Sequence, residues 1–556
     1  MLERIVENWL TNAGERGYQV PFAQLLALEG HRIVQGPAHH PFEHGKDLIA
    51  YDEKGHLCAF QLKGGDQDLR DIERIQGQLL ALAAGAVTYP GVDPPRRPDR
   101  ASLVVSGNLT PPARDRVGNL SMGLAPIRGI ELVEMGQLVR RFVAAHGRYL
   151  PAAPTDLSRL LRFLLADGRG PFPSRELSEL LSDLYELPKT PVEFARAIGS
   201  SLLLTAYASA PWERVANHMG TAVAWLTLCS QILRIAAARG LAEKDWEESF
   251  HLAHGAARGQ LLEMVDEAAA LEDLVIPDVV EGFVYPSRAL LVCGYASAFY
   301  LSERAVGSST VAVADGVKAL LVRELPYLKV MGESAGAYVL SVGTALELLK
   351  EAERGRSFVA SYAASLARLN STRSGNGVPD PYHDFEDCMM RAFGGDVPVP
   401  DERFSGHAYT LHVVIEWLAR RGERAFLETI WSEVTRLDFC EFTPSRPDRY
   451  LSTQDHDGKL GIWRAGTPES WIRLRERATS VRESVLPALL WRRSEFLPYL
   501  PLLLPYRLTA DMGRVLDYVN ADLAVVDLDV SAPGERVDSL GKISRSRHER
   551  GSEGFT

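Results

Sequence analysis

Lys46-Asp47-Leu48-Ile49-Ala50-Tyr51, then Asp52-Glu53-Lys54-Gly55, then Leu57-Cys58-Ala59-Phe60-Gln61-Leu62-Lys63-Gly64-Gly65 is the stretch that decides the fold of this 556-residue chain. Two strand-like runs flank a polar segment with a glycine, which predicts a β-hairpin. A loop centred near Lys54 sets Asp47 opposite Gln61, and directly opposed residues have Cβ atoms about 5 Å apart. Gln61 and Lys63 are two apart, so the alternation of a strand puts them on one face. A carboxylate, an amide oxygen and an ammonium then converge on one small volume. Metal-assisted activation of water for phosphodiester cleavage needs such a set.

The hairpin sits in an orderly series of elements. A helix is expected from near Leu2, and a second carries Tyr18, Phe22, Leu25, Leu26 and Leu28 at helical spacing until Gly30 ends it. Arg32-Ile33-Val34-Gln35 reads as the first strand and the hairpin supplies the next two. Leu69, Ile72, Ile75, Leu79 and Leu82 mark an amphipathic helix. Ser102 to Ser106 and Gly129 to Val133 read as a fourth and a fifth strand, each followed by a helix.

An aspartate opening one strand and a polar-x-lysine on the next resemble the PD-(D/E)XK, or restriction-endonuclease-like, nucleases. Gln61 stands where that superfamily usually has Asp or Glu; a Gln-x-Lys variant occurs among restriction enzymes of modified DNA. The resemblance covers residues 1–147 and implies an α/β fold, a mixed sheet flanked by helices. It implies metal-dependent hydrolysis of DNA phosphodiesters, with Mg²⁺ or Mn²⁺ held by Asp47, Gln61 and the Leu62 carbonyl. Lys63 would orient or deprotonate the water and stabilise the pentavalent phosphate. A neutral amide oxygen can ligate a hard cation but brings no charge, so other ligands must bring more. The superfamily often adds a glutamate from the first helix: Glu15, in Gly14-Glu15-Arg16, resembles the opening of Holliday-junction-resolvase-like members, with Gln24 and Glu29 as alternatives. Glu15 suits a helix start on dipole grounds alone. A role in restriction or anti-phage defence follows from family habit.

Further candidates surround this core. His39-His40-Pro41-Phe42-Glu43-His44 leads into Asp47, so Glu43 could join its metal and His40 or His44 contact phosphate. A plain polar loop explains the same residues. On the following helix Arg70 and Arg74 are candidate backbone contacts, and Gln76 or Gln78 is expected to face Lys63. Pro90 to Arg100 is proline-rich and basic. Arg96, Arg97 and Arg100 are placed against phosphates beside the site, or else in a solvated insertion. Gly64-Gly65 would let a substrate approach the backbone.

Composition narrows the classes. Residues 1–150 carry 17 basic and 17 acidic residues; the remaining 44 basic and 55 acidic residues hold the whole charge of −11. A protein living on non-specific duplex binding is usually basic, so nucleic acid should be met through a local patch or after assembly. Five scattered cysteines argue against a disulfide framework and fit a reducing cytoplasm. No signal-peptide pattern opens the chain, and the apolar stretches near 221–238 and 487–508 carry charges, so no membrane partner is expected.

Residues 148–530 read as a mainly helical region after a linker at His146 to Pro154, and 531–556 as a disordered tail. The helical region is a scaffold for oligomerisation or partner docking, or a sensor that controls the nuclease. Within it, Gly332-Glu333-Ser334-Ala335-Gly336 matches the Gly-x-Ser-x-Gly of a nucleophile elbow, with His383, Asp384 and His407 downstream. With 46 glycines in the chain such a match arises readily by chance. Asp380 to Cys388 is acidic and more simply a solvated loop than a cation site. Three hypotheses follow: an active nuclease, a nuclease fold kept for nucleic-acid binding or assembly, and a serine hydrolase at Ser334.

Overall fold

Residues 2–35, 46–88, 92, 94–124, 129–146, 154–271, 284–328, 333–371, 407–408, 410–444, 458–464 and 500–503 are described by the structure, a computed structural model. The N-terminal part runs α1 (Leu2–Asn12), α2 (Glu15–Leu28), β1 (Arg32–Gln35), β2 (Leu48–Tyr51), β3 (Leu57–Lys63), α3 (Leu69–Ala84), β4 (Arg100–Val105), α4 (Pro111–Gly123), β5 (Ile130–Val133) and α5 (Met135–His146). The five strands form one mixed sheet in the order β1-β2-β3-β4-β5. β1–β2 and β2–β3 are antiparallel, whereas β3, β4 and β5 are parallel.

The hairpin has the register its loop dictates. Tyr51 pairs with Leu57 and Leu48 with Phe60, so the turn centres on Lys54. The Asp52 carboxylate accepts from the Lys54 and His56 N–H groups, both at 2.9 Å. Those bonds, His56 first, hold its pKa down at about 2. Gly55 takes the left-handed backbone (φ 78°) that closes the loop. α3 opens on a capping box, with Asp68 and Asp71 each accepting the other's backbone N–H. Its Ile72, Ile75, Leu79 and Leu82 are buried with Ala59, Leu103 and Val105 on one face of the sheet.

The other face carries α1, α2 and α5. Here Trp9 meets Phe142 edge to face at 5.3 Å. This core does not stop at residue 147. One hydrophobic cluster runs from Tyr18, Phe22, Leu26 and Phe142 into α6 (Pro154–Leu165), α7 (Ser174–Glu186), α8 (Pro191–Arg214), α9 (His218–Arg239) and α10 (Glu247–Ala270). A Cβ on Gly199 of α8 would lie 2.7 Å from the Gln24 amide of α2, so the two helices approach at a glycine. The Gln24 amide oxygen accepts from Ser249 of α10 at 3.3 Å. His146 is fully buried and shares a 2.8 Å hydrogen bond with Ser200. The linker that composition suggests therefore joins two parts sharing one core.

Beyond α5 the described chain is mainly helical, as expected, with one exception. His407–Ala408, Asp438–Pro444 and Gly458–Arg464 form a second, three-stranded sheet that helical periodicity does not show. α9 is the one described helix long and apolar enough to cross a membrane, and 72% of its apolar window is buried inside the fold. Its Arg234 donates to Gln231 and to Ser182 of a neighbouring helix. The 531–556 tail lies outside the described residues.

Burial pushes the His146 pKa down to about 4, so the folded state holds it neutral. The unfolded chain binds its proton near pH 6.5. Stability is thus unaffected above about pH 6.5 and falls as the pH drops toward 4, by about 2 kcal/mol at pH 5 from this residue alone. Urea titrations at pH 7 and pH 5 should show this loss, and the loss should shrink in His146→Gln.

Candidate active site

Asp47 lies just before β2, and its N–H donates to the Phe60 carbonyl at 2.9 Å, continuing the ladder by one residue. One carboxylate oxygen then accepts the Leu62 N–H at 2.6 Å. A side chain has replaced the backbone acceptor that the next rung would use. That bond anchors the carboxylate beside the Gln61–Leu62 peptide; the paired register itself ends at Leu48 opposite Phe60, and it is the Phe60 carbonyl that takes the Asp47 N–H.

Gln61 is buried at 2% exposure. Its amide nitrogen donates to Gln78 of α3 at 2.7 Å, and its amide oxygen is buried and has no hydrogen-bond partner among the described residues. An unsatisfied buried acceptor costs roughly 1–3 kcal/mol and calls for an explanation. Lys63 donates to Glu15 at 2.8 Å, with the lysine side chain 18% and the glutamate 40% exposed. Glu15 thus reaches the site from the first turn of α2, but as the partner of Lys63. Gln78 reaches it through Gln61 where contact with Lys63 was expected, and Gln76 accepts from Arg116.

Four residues outside the predicted set hold these groups in place. The Tyr18 hydroxyl lies between the ends of β3 and β4. It accepts the Lys63 N–H at 3.1 Å and lies 3.0 Å from the Lys63 carbonyl and 3.1 Å from that of Val104. Burial raises its pKa well above the usual tyrosine value, so it stays a donor. Gln19, one residue on, donates to the Asp47 carbonyl at 3.2 Å. Lys46 is buried and donates to the Ala81 carbonyl in the last turn of α3 at 2.8 Å, and burial lowers its pKa. The Ser106 hydroxyl accepts the Gly65 N–H at 2.9 Å. Of these, Tyr18 belongs to the apolar stripe of α2, and its polar end gives no sign of itself in the sequence.

The two glycines after Lys63 differ. A Cβ on Gly64 would lie 2.9 Å from the Glu15 nitrogen, so the start of α2 rests on this backbone. Gly65 takes a left-handed backbone (φ 69°), and a Cβ there would meet open space. Packing thus accounts for Gly64, while the space beside Gly65 stays open as expected of a backbone that a substrate approaches.

The arginines are placed elsewhere. Arg100 is level with Cys58 in the parallel register, five residues before Lys63, which is about 16 Å along a strand. It pairs with Glu131 at 3.0 Å, and Arg96 pairs with Asp99 at 3.5 Å and covers the Tyr51 ring. With exposed Arg97, they lie at the far end of the sheet from Lys63, which corrects the expectation that they flank the site. Arg70 is exposed on the first turn of α3, and Arg74 pairs with Asp71 at 3.0 Å. Gln24 and Glu29 are also spoken for: Gln24 faces Ser249, and Glu29 pairs with Arg141. His40, Glu43 and His44 lie outside the described residues.

Among the described residues no three His, Cys, Asp or Glu converge in a metal-holding group. The donors at this end of the sheet are oxygens: the Asp47 carboxylate, the unpaired Gln61 amide oxygen and the Glu15 carboxylate. Such a set suits a hard divalent cation and suits zinc poorly.

Ser334 lies in a 3-10 turn, Glu333–Ala335, that leads directly into the buried helix Gly336–Leu348. Residues 329–332, where the strand of a nucleophile elbow would lie, are outside the described residues. The acid of the motif, Glu333, is buried and bonded to the Thr410 N–H and hydroxyl. His383 and Asp384 lie outside the described residues, and His407 is in the small second sheet.

Comparison with protein-family models, with curated proteins and with solved structures gives no match to this chain.

Tyr18→Phe removes the acceptor of the Lys63 N–H and leaves that group buried. It should cost about 1–3 kcal/mol in a urea unfolding experiment, more than an isolated surface hydroxyl would.

Proposed function

We propose that the N-terminal α/β part is a metal-dependent nuclease of the PD-(D/E)XK type that hydrolyses DNA phosphodiesters. The observation that carries this is the buried Gln61 oxygen without a partner, next to the Asp47 carboxylate pinned to the Leu62 N–H. An acceptor left open in a packed sheet is matched by a cation that takes oxygen ligands. Asp47, Gln61 and the Leu62 carbonyl would hold Mg²⁺ or Mn²⁺, which when bound supplies Lewis acidity and a more acidic water.

The side chains divide the remaining work. Lys63 presents an ammonium to the negative charge that builds on phosphate oxygens in the transition state. Glu15 holds that ammonium in place through a 2.8 Å ion pair, and stands as a further oxygen donor. Gln78 holds the Gln61 amide so that its oxygen stays free. Tyr18 and Gln19 tie the backbones of Lys63 and Asp47 to one helix. The helical region assembles or regulates this unit, and a role in restriction or anti-phage defence rests on the family resemblance alone.

A second hypothesis has its own supporting observation. Gln61 is neutral and Glu15 is paired with Lys63, so the negative charge available to a cation is low. A nuclease fold kept for nucleic-acid binding would look the same at these positions.

Supercoiled plasmid separates the two. Purified protein with Mg²⁺ or Mn²⁺ should nick it, EDTA should stop the reaction, and Lys63→Ala should lower the rate by about 10²–10⁴-fold. Gel retardation of DNA in EDTA without cleavage under any metal condition would favour the binding hypothesis. Equal cutting by wild type and Lys63→Ala would sink the assignment.

Restoring the acid tests the ligand directly. Gln61→Glu adds one negative charge to the oxygen donors, so the Mg²⁺ concentration for half-maximal cleavage should fall several-fold. An unchanged metal requirement would remove Gln61 from the ligand set.

A further inference from the structure

The sheet carries a second concave site, at its other end and on its other face. A cleft of about 380 Å³ lies over Cys58, Phe60 and Ser102, between the end of α2 and the α5 residues Gln137, Arg140 and Arg141. It falls within the size range of small-molecule pockets, roughly 300–1,000 Å³, and is far larger than a lone inorganic ion needs. Strand alternation sends Cys58 and Phe60 to the face opposite Gln61 and Lys63. Their pairing with Arg100 and Ser102 puts the cleft near the start of β3 and β4, away from the Lys63 end.

The lining has two characters. Phe60 and His31 meet edge to face at 6.4 Å, and Leu26 and Val133 extend this apolar wall. Burial pushes the Cys58 thiol up to about 11, so it too is a neutral surface. The opposite side is basic: Arg100, Arg140 and Arg141 against a single lining carboxylate, Glu131. Arg141 is held by Glu29 and Arg100 by Glu131. Arg140 is exposed and, among the described residues, makes no ion pair or hydrogen bond. An unspent guanidinium thus shares one cleft with an aromatic wall.

We propose that this cleft binds a nucleoside monophosphate, with the base against Phe60 and His31 and the phosphate on Arg140. An aromatic wall selects a flat ring, and guanidinium groups select phosphate by charge-assisted hydrogen bonds. Gln137, the exposed amide that also lines the cleft, is the polar group available to the sugar. The site does not depend on nuclease chemistry at Lys63, and binding there is read separately from cleavage.

Isothermal titration of the full-length protein in EDTA with AMP, GMP, CMP and UMP tests it. The Lys63→Ala variant is run in parallel, because a nuclease site can also take a nucleotide. At least one nucleotide should bind with 1:1 stoichiometry, equally in wild type and Lys63→Ala. Arg140→Glu should weaken it by about ten-fold or more, the effect of losing one charged hydrogen bond. The melting temperature and circular dichroism of Arg140→Glu should match wild type, since Arg140 is exposed. The matching nucleoside and inorganic phosphate alone should each bind more weakly than the nucleotide. No heat with any of the four at millimolar concentration overturns the assignment. So does binding that survives Arg140→Glu, or binding that Lys63→Ala removes while Arg140→Glu does not.

Discussion

One turn of α2 holds the candidate site together. Glu15, Tyr18 and Gln19 reach the Lys63 ammonium, the Lys63 backbone and the Asp47 carbonyl. The two residues that chemistry would need lie on different strands, and what fixes both is a helix beneath the sheet. The Tyr18 hydroxyl is the strongest element of that grip, because a buried hydroxyl that serves several backbone groups cannot move without orphaning them. α2 in turn is not free. Gly199 and Ser249 of the helical region pack on Gln24, six residues after Tyr18 and five after Gln19. Whatever shifts α8 or α10 is therefore felt at Asp47 and Lys63 through a single rigid element.

The neutral Gln61 changes the character of that site. A carboxylate in its place would carry charge into a buried position and need a cation or a proton to compensate. The amide avoids that cost and keeps Gln78 as a hydrogen-bond partner, yet leaves one acceptor open. The Glu15–Lys63 pair balances its own charges nearby.

Local signals carried the hairpin. Asp52 and Gly55 make a short loop whose centre can be located to one residue, and the register of β2 and β3 follows by counting. Amphipathic spacing likewise showed α2 and α3. Contacts between distant residues were not legible in the same way. Arg100 is close to Cys58 because β3 and β4 are parallel, and only the parallel register reveals that it lies at the wrong end for Lys63. Gly64 looked like an opening for substrate, whereas it is the seat of the α2 backbone. Lys46, Tyr18 and Gln19 act on backbone carbonyls and amides, which any sequence possesses, so no residue pattern announces them. The second sheet was hidden for a related reason: its first strand has two residues, and its partners lie thirty and more positions away.

The shared core also sets an order of events during synthesis. The strands and helices of the α/β part are complete once His146 has left the ribosome, but the outward side of α2 is then bare. Its cover comes from α8, at 191–214, and α10, at 247–270. At about 5–20 residues per second, roughly 100 further residues take on the order of 5–20 s to appear. For that interval Gln24 and Leu28 lack the neighbours that Gly199 of α8 and Ser249 of α10 will supply. The helix that grips the candidate site is thus uncovered on one side until the second half of the chain docks.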